Sequence, residues 1–351
     1  MRATVFNAPG HVTVEERPTP FAGPGEVRLR VGAASLCASD VRVYRGEKYA
    51  LAGVIPGHEI SGVIDQLGEG VEASTNLREG DRVILCPIVA CNACRYCLLG
   101  RRNRCVKRET LGYDLDGGFA EYLRVPAALV ETGHVIKIPD ALPLDLAAIT
   151  EPSACTLASL ELCEVGAGTS MAILGAGPMG LMHLLLGRAL GAGPIIVSEP
   201  VAERRALAAR WGADIVLDPE TDDVRGAVMA ATGEGADAVI VSVGMNALVG
   251  PALSLVRPQG VVNLFAGFPK GGDPVPFDPN LVHYGEVILT GSQNATTDQY
   301  RRTVQLIGHV PHYDELLTNR YTVEQGPEAY ESRLALAGLK SLVEFAGVDE
   351  R

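Results

Sequence analysis

The sequence has no long uninterrupted apolar run and fewer basic than acidic residues, and both features limit the classes of function that it can have. Its longest apolar stretch, residues 181–186, contains His183 and is followed by Arg188, so it is too short to span a bilayer. A formal net charge of −12 argues against nucleic acid or an anionic membrane as a partner. The first residues have the pattern of a strand rather than of a secretory signal. We therefore expect a soluble, cytoplasmic protein.

Cysteine is also sparse, because eight cysteines in 351 residues are too few for a small disulfide scaffold. Four of them, however, lie within fifteen residues: Cys91, Cys94, Cys97 and Cys105. Four thiolates at this spacing can close a tetrahedral zinc site. The alternative is an iron–sulfur cluster, but the bacterial ferredoxin run has its fourth Cys three residues on, followed by Pro. Here the gap is seven residues and Val106 follows, so we predict a structural zinc that stabilises a lobe of residues 86–110.

The length and the change of pattern along the chain predict two domains. The first 150 residues contain short β-like runs, such as 26–31 and 60–64, which are broken by Gly and Pro. This spacing is typical of a small irregular barrel or sandwich. From about Ser170, apolar strands alternate with helical segments, which predicts an α/β domain with a parallel sheet covered by helices. After a predicted helix at 297–307, a mixed tail can rejoin the first domain.

A glycine motif, Gly175-Ala-Gly177-Pro-Met-Gly180, follows a predicted strand and begins a predicted helix. Such glycines allow the tight turn, the approach of a pyrophosphate and close helix–strand packing. Glu199, at the end of the next strand, can bind both ribose hydroxyls and would repel a 2′-phosphate, which favours NAD over NADP. Arg204 and Arg205 keep NADP open, since either can meet a phosphate. The expected coenzyme-binding residues are Gly175, Gly177, Pro178, Met179, Gly180, Glu199, Arg204, Val243, Gly244, Phe265, Ala266 and Gly267.

Three further segments carry groups that can bind metal: Cys37-Ala-Ser39-Asp40, Gly57-His58-Glu59 and Glu151-Pro152. Each has an ordinary explanation when it is taken alone. A Cys at a strand end is often a buried small side chain, a single His is often a hydrogen-bonded structural residue, and Glu151 can be a helix-start acid.

Together with the glycine motif, the four-Cys loop and the segment Asp-Gly-Gly-Phe-Ala-Glu-Tyr at 116–122, these segments resemble the zinc-containing medium-chain dehydrogenase/reductase family. The branch of the sorbitol, butanediol and threonine dehydrogenases is the most similar, and the resemblance covers essentially the whole chain. It implies a GroES-like β-barrel catalytic domain (1–150), a Rossmann NAD-binding domain (151–292) and a return to the catalytic domain (293–351). It also implies two zinc ions per subunit and a homotetramer, or failing that a dimer, with the last Rossmann strand in the contact.

The resemblance implies a role for each matched residue. Cys37 and His58 match ligands of a catalytic zinc, Glu59 matches an acid that binds this zinc directly or swings in and out, and Glu151 matches the remaining ligand, direct or through water. Ser39 matches the hydroxyl that accepts the substrate proton. The implied activity is hydride transfer between a secondary alcohol of polyol, cyclitol or amino-alcohol type and NAD, with zinc lowering the pKa of the alcohol.

Two departures from the family pattern bear on the substrate and the proton path. Many relatives carry His where this chain has Arg42, which cannot accept a proton in water. Polyol-oxidising relatives often carry Arg where this chain has Ser292-Gln293-Asn294, which argues against sorbitol. A biosynthetic NAD(P)H-dependent reductase of a keto-sugar or cyclitol would use the same residues. A non-catalytic relative is the third possibility, although the presence of all four candidate ligands argues against it.

Overall fold

The computed structural model describes residues 1–269, 271 and 274–348, which form two compact units. The first unit consists of Met1–Ala154, Ala295–His309 and Asp314–Arg351, and the second of Cys155–Asn294 and Val310–Tyr313. The first boundary lies four residues beyond position 150, within a helix that spans residues 150–162. Residues 349–351 of the expected return segment lie outside the described residues. Within the described ranges, every helix is too short or too polar to cross a lipid bilayer.

The N-terminal part of the first unit is built mainly from short strands. They are β1 (Arg2–Ala8), β2 (His11–Glu16), β3 (Val27–Leu36), β4 (Glu59–Leu67), β5 (Arg82–Leu85), β6 (Ile88–Val89), β7 (Glu109–Thr110), β8 (Tyr122–Val125) and β9 (Val135–Lys137). The helices of this part are α1 (Ala38–Tyr44), α2 (Val71–Ser74), α3 (Arg95–Leu98), α4 (Ala127–Glu131), α5 (Leu144–Ala148) and α6 (Thr150–Leu162), the last of which crosses the boundary between the units.

Strand β3 continues five residues beyond the run expected from the sequence. Its second half, Gly32-Ala-Ala-Ser-Leu36, lacks the β-branched residues that usually indicate a strand. Helix α5 packs closely over this half, and a Cβ on Gly32 would lie 2.5 Å from Cδ1 of Leu144. Small residues are therefore needed here for packing. Strand propensity does not indicate such a requirement, because it reflects only the local preference of each residue.

The second unit is a parallel sheet with helices between its strands, as predicted. Its strands are β10 (Met171–Leu174), β11 (Ile195–Ser198), β12 (Ile215–Leu217), β13 (Ala236–Val241), β14 (Val256–Leu264) and β15 (Ile288–Gly291). Its helices are α7 (Pro178–Ala189), α8 (Ala202–Arg210), α9 (Val224–Thr232), α10 (Val249–Leu255) and α11 (Pro279–Gly285). The strand order across the sheet is β12-β11-β10-β13-β14-β15. The chain enters the sheet at the central strand β10, runs outward to β12, and then crosses back to β13 on the other side of β10. Ligands of such sheets bind at the carboxyl ends of the strands at this reversal.

The chain then returns to the first unit through α12 (Thr297–Leu306), β16 (Leu317–Tyr321), α13 (Gly326–Leu334) and β17 (Lys340–Glu344). Strand β17 pairs antiparallel with β3, in the sheet order β16-β17-β3-β4-β5-β9. Because Ser341 is opposite Leu36 in this pairing, Lys340 lies beside the end of β3. The returning segment thus reaches the part of the first unit that carries Cys37.

His183 on α7 is a fully buried, neutral side chain of the second unit. Its Nδ1 lies 2.6 Å from the Met179 carbonyl oxygen, its Nε2 lies 3.1 Å from Oγ of Ser159, and its ring meets the edge of Phe265. Burial lowers the pKa of His183 to about 4.

We predict that the free energy of unfolding falls as the pH falls from about 6.5 towards 4, and that His183→Gln reduces this dependence. In this window the unfolded chain binds a proton at position 183 that the folded chain does not, which gives a slope of up to about 1.4 kcal/mol per pH unit. Denaturant titrations at pH 7, 6 and 5 measure it. His309→Gln, at an exposed position, is the control and should leave the slope unchanged. Equal slopes in wild type and His183→Gln would contradict the prediction.

Candidate active site and metal centres

Three of the four predicted ligands of the catalytic zinc lie together in the first unit. The ligand atoms of Cys37, His58 and Glu59 all lie within 4.8 Å of one another. Strand pairing explains this proximity: Ser35 of β3 is opposite Glu59 of β4, so the residue after β3 and the residue before β4 are neighbours. Gly57 allows the approach, because it has φ +92° and a Cβ there would lie 2.7 Å from the Phe119 ring.

Glu59 is completely buried, and its two carboxylate oxygens have different surroundings. Nζ of Lys340 donates a hydrogen bond to Oε2 at 2.6 Å, and the Lys340 side chain is itself 4% exposed. Oε1 accepts no hydrogen bond from the part of the chain that the structure describes. A buried carboxylate oxygen without a partner is costly, and a cation at this point would satisfy it. With a thiolate and an imidazole beside it, the donor set suits zinc.

Asp40 supports this cluster from the first turn of α1. One of its oxygens accepts a hydrogen bond from the Cys37 backbone N–H at 2.9 Å, and the other lies 3.2 Å from Nδ1 of His58. Burial alone would raise the pKa of Asp40, but the attraction of His58 and the Cys37 hydrogen bond outweigh burial and lower it. An ionised Asp40 therefore faces Nδ1 of His58, which leaves Nε2 to act as a metal ligand.

Ser39 belongs to a small polar group on the same side of α1. Its Oγ lies 2.6 Å from the phenol oxygen of Tyr113, and the ammonium of Lys48 lies 3.6 Å from the centre of the Tyr113 ring. Tyr113 also makes a ring contact with His58, at 5.1 Å between centres. Its pKa is raised well above the ordinary value because the phenol is buried and faces Asp40 and Cys37. Tyr113 is therefore protonated at neutral pH.

Glu151, the fourth predicted ligand, does not belong to the three-residue cluster. It lies in the first turn of α6, where Oε1 accepts a hydrogen bond from the phenol of Tyr300 at 3.3 Å. Tyr300 also lines a cavity of about 290 Å³ in the first unit, with His134, Arg102 and the start of α12 among its other walls. Its assignment as a ligand stays a prediction.

The four clustered cysteines lie as their spacing predicts. The sulfur atoms of Cys91, Cys94, Cys97 and Cys105 all lie within 4.8 Å of one another. Hydrogen bonds from the backbone N–H groups of Cys97 and Val106 lower the pKa of Cys94 to about 6, whereas desolvation raises that of Cys97. The sulfurs are too close for all four to ionise without a cation, so the arrangement fits a closed tetrahedral zinc site.

The glycine motif forms the turn from β10 into α7 in the second unit. Gly175 has φ +97°, and a Cβ on Gly180 would lie 1.9 Å from the Gly175 carbonyl oxygen, so the third glycine allows close packing of helix against strand. Gly177 is the N-cap of α7, Pro178 and Met179 form its first turn, and a Cβ on Gly177 would meet no atom within 4 Å. A helix start bordered by open space is an arrangement that binds phosphate.

Glu199 lies just after β11 and is bound to the glycine turn. Its Oε2 accepts a hydrogen bond from the Ala176 N–H at 2.6 Å, and its Oε1 accepts one from Val201 at 3.0 Å. Each carboxylate oxygen has two lone pairs, so both can still accept from a ribose hydroxyl. Arg205 is engaged with the Glu199 carbonyl oxygen and with Asp218, whereas Arg204 is half-buried nearby on α8.

The remaining predicted coenzyme residues follow β13 and β14, at the carboxyl ends of the sheet. A Cβ on Gly175 would lie 2.3 Å from Cγ2 of Val243, so Val243 borders the glycine turn. Gly244 and Gly267 lie in close contact, since a Cβ on Gly244 would lie 2.3 Å from the Gly267 carbonyl oxygen. The backbone N–H groups of Phe265 and Ala266 both donate to Val241.

Four residues around the metal cluster were not predicted from the sequence. Asp40 lies in the segment Cys37-Ala-Ser39-Asp40, where its position three residues after Cys37 at a helix start was the available signal. Lys48, Tyr113 and Lys340 come from segments in which no local pattern indicates a site.

Comparisons with known proteins cover both units. The model of the alcohol dehydrogenase GroES-like domain matches residues 23–140, and that of the zinc-binding dehydrogenase domain matches residues 178–309. The L-threonine 3-dehydrogenase of Pyrococcus horikoshii is 32% identical over 96% of this chain and 95% of its own length. The L-galactonate-5-dehydrogenase of Escherichia coli is 30% identical over 94% of each. Among solved structures, the chain is similar to a zinc-binding dehydrogenase from Sinorhizobium meliloti that was solved with NADP bound. The TM-score is 0.89 at 29% sequence identity, and the match covers 98% of this chain and 99% of that one.

We predict that Asp40→Asn weakens zinc binding at the cluster of Cys37, His58 and Glu59 by about 10- to 100-fold, because the imidazole loses its orienting carboxylate. The asparagine oxygen can still accept from the Cys37 N–H. Zinc per chain after dialysis against a graded series of chelator concentrations measures the effect. The control is Asp65→Asn, which removes a carboxylate paired with Arg28 in the same unit. Identical zinc retention in both variants would contradict the role of Asp40.

Proposed function

The chain belongs to the zinc-dependent alcohol dehydrogenase family, which combines a GroES-like and a Rossmann domain and acts on CH–OH groups with NAD(P), and from this we propose that it oxidises a secondary alcohol of the amino-alcohol or polyol type. The predicted family, fold class and reaction type are confirmed by these relatives. The observation that carries the proposal for the site is the cluster of Cys37, His58 and Glu59 with an unpaired buried oxygen on Glu59.

We assign Cys37, His58 and Glu59 as the residues that hold the catalytic zinc. A zinc ion bound there would act as a Lewis acid that lowers the pKa of the substrate alcohol. Lys340 holds Oε2 of Glu59, so that Oε1 remains directed at the metal position. Glu151, which is bound to Tyr300, would complete the ligand set directly or through water. Cys91, Cys94, Cys97 and Cys105 would hold the structural zinc.

The protein's own groups then position the reactants. Ser39 accepts a hydrogen bond from the substrate hydroxyl, and Asp40 keeps the imidazole of His58 oriented. The start of α7 binds the coenzyme pyrophosphate through backbone N–H groups of its first turn, and Glu199 binds the ribose. The reaction gains from holding the reacting carbons close together, since orientation of two bound reactants supplies a large part of such rate enhancements.

We propose NAD as the preferred coenzyme. The Glu199 carboxylate is fixed beside the glycine turn and would repel a 2′-phosphate. The relative with NADP bound and the half-buried Arg204 are the arguments for NADP. Since Arg205 is already paired with Asp218, Arg204 is the more available cation.

The substrate classes to test first come from the relatives. Their names include L-threonine, an amino alcohol with a carboxylate, and L-galactonate, a polyol with a carboxylate. Both carry a secondary alcohol next to further polar groups, which agrees with the polar side chains Ser292, Gln293 and Asn294 that follow β15.

The function is tested with purified protein, a panel of amino alcohols, aldonates, alditols and cyclitols, and both coenzymes. We predict two zinc ions per chain, turnover with at least one panel member, and a higher kcat/KM with NAD than with NADP. Cys37→Ser should contain one zinc, bind NAD as wild type does in a fluorescence titration, and show no turnover. Cys163→Ser, at a buried position of the second unit, is the matched control. One zinc in wild type, or full activity in Cys37→Ser, would contradict the proposed site.

We propose that the chain forms a homo-oligomer through β15, either a dimer or a tetramer built on it. This strand ends the sheet order, and in the described ranges it pairs only with β14. Exposed apolar side chains lie on and before it, among them Tyr284 at 80% and Ile288 at 56%. An exposed apolar edge strand is suited to pairing with its copy.

We predict that Ile288→Lys lowers the mass measured by light scattering, because a buried charge at the strand contact destabilises the pairing. Leu336→Lys, which places the same charge at an exposed position of the first unit, should leave the mass unchanged. A monomeric wild-type protein at micromolar concentration would contradict the proposal.

A further inference from the structure

The hydroxyl of Ser39 needs a partner if it is to accept a hydrogen bond from the substrate in a defined direction. A serine hydroxyl has one hydrogen and two lone pairs, and it rotates freely unless a neighbour holds it. To accept from a substrate alcohol, it must turn a lone pair towards the substrate and its own hydrogen towards another acceptor. The group that receives this hydrogen decides how often the productive orientation occurs.

The residue at the position where many relatives carry His cannot play this part. Arg42 has no acceptor atom, and its Nε lies 3.6 Å from the carboxylate of Glu47. Among the described residues, Tyr113 is the only one whose side chain is hydrogen bonded to the Ser39 hydroxyl, at 2.6 Å between the oxygens.

Tyr113 is held rigidly, which a positioning role requires. It is 6% exposed and packs in a cluster with Phe6, Val43 and Val54. Its backbone is bonded on both sides, since its N–H donates to Thr110 and its carbonyl accepts from Leu51. The ammonium of Lys48 lies over the ring face, a cation–π contact that restricts the ring further.

We propose that Tyr113 is a positioning residue of the dehydrogenase: its phenol oxygen accepts a hydrogen bond from the Ser39 hydroxyl and thereby keeps a lone pair of Ser39 Oγ directed at the substrate hydroxyl. The inference rests on the proposed function, because it assigns a partner to the residue that accepts a hydrogen bond from the substrate hydroxyl. The phenol touches neither the substrate nor the coenzyme in this role and acts only through Ser39.

The first test is Tyr113→Phe in the zinc-loaded enzyme with the best substrate of the panel. We expect kcat to fall about five- to tenfold, as for the loss of one neutral hydrogen bond, with little change in KM. Zinc content should stay at the wild-type value. The matched control is Tyr44→Phe, which removes a phenol bonded to Glu331 in the same unit and should leave kcat unchanged. An unchanged kcat in Tyr113→Phe would overturn the inference.

A double-mutant cycle separates positioning from a general structural effect. If Tyr113 acts only through Ser39, then Tyr113→Phe has no further effect on kcat in a Ser39→Ala background. A phenol that merely supports the fold would lower kcat by the same factor in both backgrounds. Additive losses would therefore overturn the inference even though each single variant is impaired.

A structural measurement keeps the inference testable apart from turnover. In a crystal structure of the zinc-loaded wild-type protein, Ser39 Oγ and the Tyr113 oxygen should lie within hydrogen-bonding distance, and a water or a metal ligand between them would overturn the inference. An enzyme that turns over no member of the panel would contradict the proposed function, while this distance would still decide whether Tyr113 holds Ser39.

Discussion

The buried ion pair of Glu59 with Lys340 is the interaction on which the rest of the candidate metal site depends. Burying two charges costs several kcal/mol per ion, and the cost is offset only when the geometry is good and the remaining lone pairs are satisfied. Here the pair is 2.6 Å long, and Nζ of Lys340 also lies 3.4 Å from the Leu36 carbonyl oxygen. Lys340 binds one oxygen of Glu59, and the other accepts no hydrogen bond from the described residues. The pair thus positions the acid and joins β17 to β4.

The groups around the cluster are arranged in the same way. Cys37, His58 and Glu59 each have a polar partner outside the cluster. Asp40 faces His58 and also accepts a hydrogen bond from the Cys37 backbone, so a single carboxylate contacts two of the three candidate ligand residues. Tyr113 binds Ser39 and contacts the His58 ring. The second unit has a similar arrangement. The Glu199 carboxylate, which is proposed to bind ribose, also accepts a hydrogen bond from the glycine turn. These arrangements leave few rotational freedoms to be lost when reactants bind.

Residues that act through a local motif were predictable from the sequence, and residues that act across the fold were not. The glycine turn and the four-Cys loop need only a few consecutive positions, and Cys37, His58 and Glu59 were found because their short segments match a family pattern. Lys340 is separated from Glu59 by 281 residues, and only the pairing of β17 with β3 brings it there. Tyr113 reaches Ser39 from a turn with no periodic pattern. The length of β3 was underestimated for a related reason, since packing against Leu144 selects small residues that local propensity does not favour.

The position of Lys340 also has a consequence for the order of events during synthesis. Chains emerge from the ribosome at about 5–20 residues per second, and N-terminal segments generally fold first. Cys37, His58 and Glu59 are therefore made long before Lys340, with the whole second unit translated in between. Until then, the ammonium of Lys340 is not present to offset the burial of Glu59. The first unit thus depends, for the partner of a buried carboxylate, on a segment that is translated after the second unit.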